Sequence, residues 1–203
     1  DKSGEAVHKI YLTEESDKAA YEALKEKYKA ADQALEITTE AYAAAPAEKP
    51  DAEIDVNGCR EAWLGITDTH QFFGILKKFG VSRTQGLRLA PEGYARQLSN
   101  EAVETILQQS AEQKAPIMVF TGSRGCIQIH TGEVSRLVRT GPWYNVLDPD
   151  FNMHLRTDAI ATTWLVRKPS EAGIVTSVEI FDKNGELIVQ FFGKRTPGIP
   201  ELE

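Results

Sequence analysis

The sequence predicts an α+β fold in which a large antiparallel β-meander sheet packs with a cluster of short helices. The first observation is a succession of helical patterns between residues 60 and 113. The second is a change after Pro116 to short runs rich in Val, Ile, Phe, Trp and Thr, separated by turn residues. The turns are so short that neighbouring strands must be antiparallel, because a parallel crossover needs about a dozen residues or more.

The beginning of the chain has a near-copy close to its end. Residues 1–5, DKSGE, are predicted to form a hairpin turn before a strand at 6–12, and residues 182–186, DKNGE, form the same turn before a strand at 187–192. Turns of this composition are common, so chance can explain the match. Alternatively, the chain contains the end of one structural repeat followed by a complete second repeat.

These patterns predict three segments. Residues 1–35 form the remnant of a preceding repeat, a strand and then a helix opened by Thr13 whose charged side faces solvent. Residues 36–57 are rich in Ala, Pro, Glu and Thr and are predicted to be a partly extended linker. Residues 58–203 form the main domain.

Within the main domain, the stretch TDTHQFFGILKKFGVSR (67–83) predicts a short amphipathic helix that begins beside His70 and ends at Gly80. Ser82 is predicted to cap the next helix, with Arg83 in its first turn. The other predicted helices are 60–66, 82–90 and 100–113, the last capped by Asn100. The predicted strands are 117–121, 126–131, 134–139, 143–147, 151–156, 161–167, 174–181 and 187–192.

Composition excludes several classes of function. The 203 residues carry a net charge of −7, which argues against nucleic acid as a partner. No apolar run approaches the ~18 residues that a membrane helix needs. Cys59 and Cys126 are far apart and form no C-x-x-C pattern, which argues against structural zinc and a disulfide scaffold and fits a reducing cytoplasm.

The candidate chemistry is sparse. His70, beside phenylalanines and with Arg83 one loop away, could bind a flat, apolar, anionic metal complex, or it could be an ordinary buried histidine. His8 is placed on the first predicted strand and belongs to the preceding repeat. His130 and His154 are placed on meander strands, where a half-buried, hydrogen-bonded histidine is the usual case. No two histidines are three or four residues apart, and no nucleophile elbow, P-loop or G-x-G-x-x-G motif occurs. Residue types alone name no reaction.

Longer strings of sequence carry a resemblance. They are THQFFGILKKFGVSRTQGLRLAPEG (69–93), GCIQIHTG (125–132), GPWYNVLDPDFNMHL (141–155), WLVRKP (164–169) and IVQFFGKRTPGIPEL (188–202). Together they resemble the C-terminal repeat of the cytoplasmic haem-trafficking or hemin-degrading proteins, the HemS/ChuX domain family. The resemblance covers residues 58–203, one of the family's two similar halves, which also accounts for the repeated turn.

The resemblance implies a haem site. His70 matches the histidine that coordinates haem iron, Arg83 the arginine over the opposite haem face, and Phe120 the phenylalanine that packs on that side. Polar positions that hold the haem propionates match Lys168, Gln190 and Arg195. Phe192 stands where some relatives have tyrosine, so a hydroxyl contact to a propionate is absent.

The resemblance also implies haem b (hemin) as the bound cofactor and a cytoplasmic location. Two functions remain open. The chain is either a haem carrier of iron acquisition that delivers haem to a haem oxygenase, or an enzyme that opens the porphyrin ring with oxygen and an external reductant. A haem oxygenase or a reductase is the corresponding protein partner. The N-terminal segment is expected either to dock on a neighbouring copy, giving a dimer, or to be loosely held.

Overall fold

A computed structural model describes residues 1–33, 36, 38–44 and 46–194. The chain divides into two compact units, Asp1–Ala45 with Ser123–Cys126, and Pro46–Gly122 with Ile127–Glu203. The predicted division at 1–35, 36–57 and 58–203 stays a prediction. Among the described residues, no helix is both long and apolar enough to cross a membrane.

In the part of the first unit that the structure describes, the helix is α1 (Lys18–Tyr28). It starts later than predicted, because Thr13 and Ser16 form a turn and Asp17 caps the helix by accepting a hydrogen bond from the Ala20 backbone. The strand predicted at residues 6–12 is wrong, since this segment has no strand partner and is irregular. α1 buries none of its residues.

The helices of the second unit follow a short 3₁₀ turn at Asp51–Glu53. Gly80, at φ +63, ends the predicted His70 helix in the left-handed conformation that glycine favours, and Ser82 caps the next helix by accepting from the Gln85 backbone, so both predictions are confirmed. The last helix begins after Glu101 rather than at Asn100, because the Asn100 amide donates instead to the backbone oxygens of Ile160 and Ala161. The helices are α2 (Val56–Leu64), α3 (Gln71–Phe79), α4 (Arg83–Arg88) and α5 (Ala102–Gln113).

The predicted α+β fold with an antiparallel sheet is confirmed, with two differences. A short strand, β1, had not been predicted. The strands also form two sheets rather than one broad meander, a six-stranded sheet in the order β1-β7-β8-β9-β2-β3 and a three-stranded sheet in the order β4-β5-β6. Their bounds are β1 (Ala95–Leu98), β2 (Ile117–Gly122), β3 (Ile127–Gly132), β4 (Leu137–Thr140), β5 (Trp143–Leu147), β6 (Asn152–Arg156), β7 (Thr162–Ser170), β8 (Gly173–Phe181) and β9 (Leu187–Gly193).

The large sheet has a core on each face. On one face, Val103 and Leu107 of α5 pack with strand residues of both sheets, including Val119 and Val146. On the other face, the buried sides of α2, α3 and α4 pack against β7 and the end of β8, around Trp63, Phe72, Leu87, Val166 and Phe181. The second face carries the candidate site.

Candidate functional site

A row of side chains crosses the helix-covered face of the large sheet. Residues directly opposite one another in paired antiparallel strands point to the same face. The register aligns Trp164 on β7 with Glu179 on β8, Glu179 with Gln190 on β9, Gln190 with Phe120 on β2, and Phe120 with Ile129 on β3. Two of the positions predicted for the site, Gln190 and Phe120, therefore lie next to each other on one surface although they are far apart in the chain.

Glu179 is the centre of this surface and is fully buried. Arg83, at the start of α4, donates two hydrogen bonds to the Glu179 carboxylate, from Nε to Oε2 and from Nη2 to Oε1, each 2.7 Å long. Lys168 Nζ donates to Oε1 at 2.6 Å, and Gln190 Nε2 donates to the same oxygen at 3.0 Å. The Ser177 hydroxyl adds a bond of 3.2 Å. Charge-assisted bonds of this kind are the strong class of hydrogen bond.

The charges in this cluster shift one another's ionisation. Burial alone raises the pKa of Glu179, but the charges and hydrogen bonds of Arg83 and Lys168 outweigh it and lower the pKa from 4.5 to about 2. Burial lowers the pKa of Lys168 below 10.5, and the attraction of Glu179 offsets only part of this. Glu179 is therefore ionised at neutral pH and holds the two cations together.

Phe72 joins this cluster to the helix that follows His70. Its ring lies over both cations, with the Arg83 guanidinium carbon 5.4 Å and Lys168 Nζ 4.8 Å from the ring centroid. On another side it makes an edge contact with Trp63 at 4.4 Å. The N-terminal end of α3 thus lies directly above the Glu179 cluster.

Beyond the cluster, the same sheet face becomes apolar and is less covered. The rings of Phe120 and Phe192 lie 5.0 Å apart and are both half-buried. On the adjoining strand β3, Ile129 and Ile127 are 52% and 67% exposed. A half-open apolar strip on a rigid sheet is suited to a flat apolar ligand.

His70 stands at the residue immediately before α3 and its side chain is 92% exposed. Its Nδ1 lies 2.7 Å from Asp68 Oδ1, and its backbone N–H donates to the same oxygen at 2.8 Å. With Nδ1–H as the donor to the carboxylate, the neutral ring presents the Nε2 lone pair to solvent. This is the arrangement in which histidine binds a metal ion.

The structure brings five of the predicted site residues together. Arg83, Lys168 and Gln190 meet at Glu179, Phe120 lies beside Gln190 in the same row, and Phe192 lies 5.0 Å from Phe120. In this structure Arg83 and Lys168 both pair with Glu179. The roles predicted for them toward haem stay predictions. Arg195 lies outside the described residues.

Sequence reasoning missed Glu179 and Asp68. Glu179 interrupts the apolar run IVTSVEIF at 174–181, and a carboxylate in a buried strand must find cations. Asp68 stands two residues before His70, a spacing that lets a carboxylate reach both the ring and the backbone of that residue. Both signals are visible in the sequence once the strand and the helix start are recognised.

The other histidines already have hydrogen-bond partners, as predicted for strand histidines. His130 stacks on Phe151 at 3.8 Å and its Nε2 meets the Glu133 carbonyl at 3.3 Å. His154 Nδ1 lies 2.8 Å from Asn145 Oδ1. His8, which is not in a strand, has Nδ1 3.8 Å from the Cys126 sulfur. Within the described ranges, no group of three or more His, Cys, Asp or Glu side chains could hold a bare metal ion.

Comparison with known proteins decides the family. The family model described as "Haemin-degrading HemS.ChuX domain" matches residues 80–203. The chain belongs to the HemS/ChuX family. The hemin transport protein HmuS of Yersinia pestis is 37% identical over 205 residues, and the hemin transport protein HemS of Yersinia enterocolitica is 36% identical over 201 residues. The chain spans 57% of the length of each of these curated relatives.

Solved structures of HemS/ChuX relatives share the fold. The holo form of PhuS, a heme-binding protein from Pseudomonas aeruginosa, superposes with a TM-score of 0.95 at 50% identity, covering 100% of this chain and 59% of PhuS. The heme degrading enzyme ChuS of Escherichia coli O157:H7 superposes with a TM-score of 0.88 at 36% identity, covering 100% of this chain and 58% of ChuS. The recognition of the family from the sequence is therefore confirmed.

Proposed function

We propose that this chain binds haem b through His70 and acts as a cytoplasmic haem carrier of iron acquisition that delivers haem to a haem oxygenase. The observation that carries the proposal is the exposed His70 imidazole, whose Nδ1 is held by Asp68 so that Nε2 is available. A neutral imidazole is a common axial ligand of haem iron. The donor set therefore fits the cofactor that the family handles.

The sheet face beside the cluster supports the same ligand. Phe120, Phe192 and Ile129 offer apolar surface to a flat ring, and each Å² removed from water contributes about 25 cal/mol. Haem supplies iron and the porphyrin chemistry when bound. The protein's part is to ligate, orient and shield it.

The propionate-binding role of Lys168, Gln190 and Arg195 is part of this proposal. Lys168 and Gln190 already donate to Glu179, so a propionate would have to share these donors with Glu179 or displace it. Arg83 and Lys168 carry two positive charges against the single negative charge of Glu179. This excess of positive charge favours the binding of a further anion.

Carriage is favoured over ring opening because one exposed side-chain ligand allows exchange of the bound group. The similarity to two proteins described as hemin transport proteins supports this choice. The second candidate is a haem-degrading enzyme that opens the porphyrin ring with oxygen and an external reductant. It is favoured by the 36% identity to the Escherichia coli protein described as a heme degrading enzyme.

One experiment separates the two functions. The purified chain is loaded with hemin and incubated under oxygen with a reductase and catalase, with and without an apo haem oxygenase. A carrier leaves the hemin spectrum intact until the apo oxygenase is added and then loses hemin to it. Stoichiometric conversion to a biliverdin-type pigment by the chain alone, unaffected by catalase, contradicts the carrier proposal and supports the enzyme.

The arrangement of the N-terminal segment remains a proposal too. We propose that residues 1–35 represent the end of a preceding repeat and that they dock on a neighbouring copy. A mass measurement in solution tests this, because a strictly monomeric chain at high concentration contradicts docking between copies.

A further inference from the structure

The carboxylate of Asp68 is placed to act on His70 rather than merely to close a local turn. One oxygen, Oδ1, accepts from the His70 backbone N–H at 2.8 Å and lies 2.7 Å from Nδ1 of the same residue. An Asx turn needs only the first of these bonds. The second fixes the ring plane and makes Nδ1 the protonated nitrogen of the neutral ring.

The turn around Asp68 holds the carboxylate in place. The Gln71 side-chain oxygen accepts from the backbone N–H groups of Thr67 and Asp68 at 2.9 and 3.3 Å, and the Gln71 N–H donates to the Asp68 carbonyl at 3.0 Å. The Thr67 carbonyl accepts from the Glu171 N–H at 2.8 Å, which ties the turn to the β7–β8 connection. The Asp68–His70 pair therefore sits on a backbone that is fixed on both sides.

We propose that Asp68 is the positioning residue for His70, selecting the Nδ1–H tautomer and increasing electron donation from Nε2 to haem iron. This inference rests on the proposed role of His70 as the iron ligand. A carboxylate that accepts from the second nitrogen of a ligating histidine makes the ring a stronger donor. Stronger donation stabilises ferric iron relative to ferrous iron, so Asp68 lowers the midpoint potential and tightens ferric hemin binding.

The variant that isolates this effect is Asp68→Asn. An asparagine oxygen can still accept from the His70 backbone N–H, so the helix start is retained while the charge is removed. Asp158→Asn is the matched control, because Asp158 is also an exposed carboxylate and is paired with Arg156 at 2.9 Å rather than with a histidine. Asp68→Glu keeps the carboxylate and should recover most of the wild-type behaviour.

Three measurements are made on each protein. They are the ferric hemin dissociation constant, the midpoint potential of the bound iron, and the iron–histidine stretching frequency of the ferrous form. Asp68→Asn is expected to weaken hemin binding about tenfold, raise the midpoint potential and lower the stretching frequency, while Asp158→Asn matches wild type. In the haem-free protein, long-range ¹H–¹⁵N correlation spectra should show His70 protonated at Nδ1, and this preference should weaken in Asp68→Asn.

The outcomes separate this inference from the proposed function. If Asp68→Asn retains the wild-type midpoint potential and stretching frequency, the positioning role is overturned, even if affinity falls, because only a local contact has then been lost. If His70→Ala leaves hemin binding and the Soret band unchanged, His70 is not the ligand and the proposed function fails first. A shift in both properties with Asp68→Asn, reversed in Asp68→Glu, supports the inference.

Discussion

Arg83 and Glu179 are 96 residues apart in sequence and are joined by two parallel hydrogen bonds of 2.7 Å. The pair connects the first turn of α4 to the C-terminal part of β8, and Lys168 from β7 adds a third charged bond to the same carboxylate. The helical layer is thus attached to the sheet by a charged cluster as well as by apolar packing. This cluster sets the positions of three predicted site residues, Arg83, Lys168 and Gln190.

Removing the Glu179 charge should destabilise the fold strongly. In Glu179→Gln, Arg83 and Lys168 lose their common counter-ion in a buried position, and breaking such a pair costs about 3–5 kcal/mol. Urea unfolding of the variant and of wild type measures the difference. Asp158→Asn, which removes an exposed partner of Arg156, should leave the midpoint unchanged. Equal unfolding midpoints for Glu179→Gln and wild type would show that the cluster contributes nothing to stability.

The same carboxylate predicts a specific loss of stability in acid. The pKa of Glu179 is about 2 in the folded state against 4.5 ordinarily, so the unfolded chain takes up a proton first as the pH falls. The contribution of Glu179 is fully present above pH 4.5 and disappears as the pH falls through about 2, a total of about 3 kcal/mol. Unfolding measured between pH 5 and 2 should show the difference between wild type and Glu179→Gln shrinking. A constant difference across this range contradicts the assignment.

Two adjacent phenylalanines in α3 should differ strongly in how much stability their truncation costs. Phe72 is 1% exposed, contacts Trp63 and covers both cations, whereas Phe73 is 71% exposed. Phe72→Ala should lower the free energy of unfolding by about 3–5 kcal/mol, and Phe73→Ala should change it by no more than about 0.5 kcal/mol. Thermal or urea unfolding of both variants measures this. Similar losses in the two would contradict the placement of the buried side of α3.

The sequence predicts the elements of this fold better than their assembly. Short turns predict the hairpins β2–β3, β4–β5, β5–β6, β7–β8 and β8–β9. The equally short β3–β4 connection instead joins the two sheets. The pairings of β1 with β7 and β2 with β9 join distant segments, and no local pattern encodes them. β1 itself, ARQL, is short and half polar, so it lacks a strand signature.

For the site, too, the sequence predicts the individual residues better than the way they assemble. The resemblance supplied His70, Arg83, Lys168 and Gln190 one by one, but not the carboxylate that organises the last three. Glu179 had no matching cation within its own strand, and its partners come from α4, β7 and β9. In this structure the arginine predicted over a haem face and the lysine predicted on a propionate both donate to one buried carboxylate.

The central claim is that His70 binds haem iron, and hemin titration of three single-histidine variants tests it most directly. His70→Ala should shift the Soret band and weaken hemin binding, because no other side chain at this end of α3 is assigned to the iron. His130→Ala and His154→Ala should keep the wild-type spectrum and affinity, since both rings are engaged with neighbouring groups. A His70→Ala protein that binds hemin with the wild-type spectrum and affinity would contradict the account.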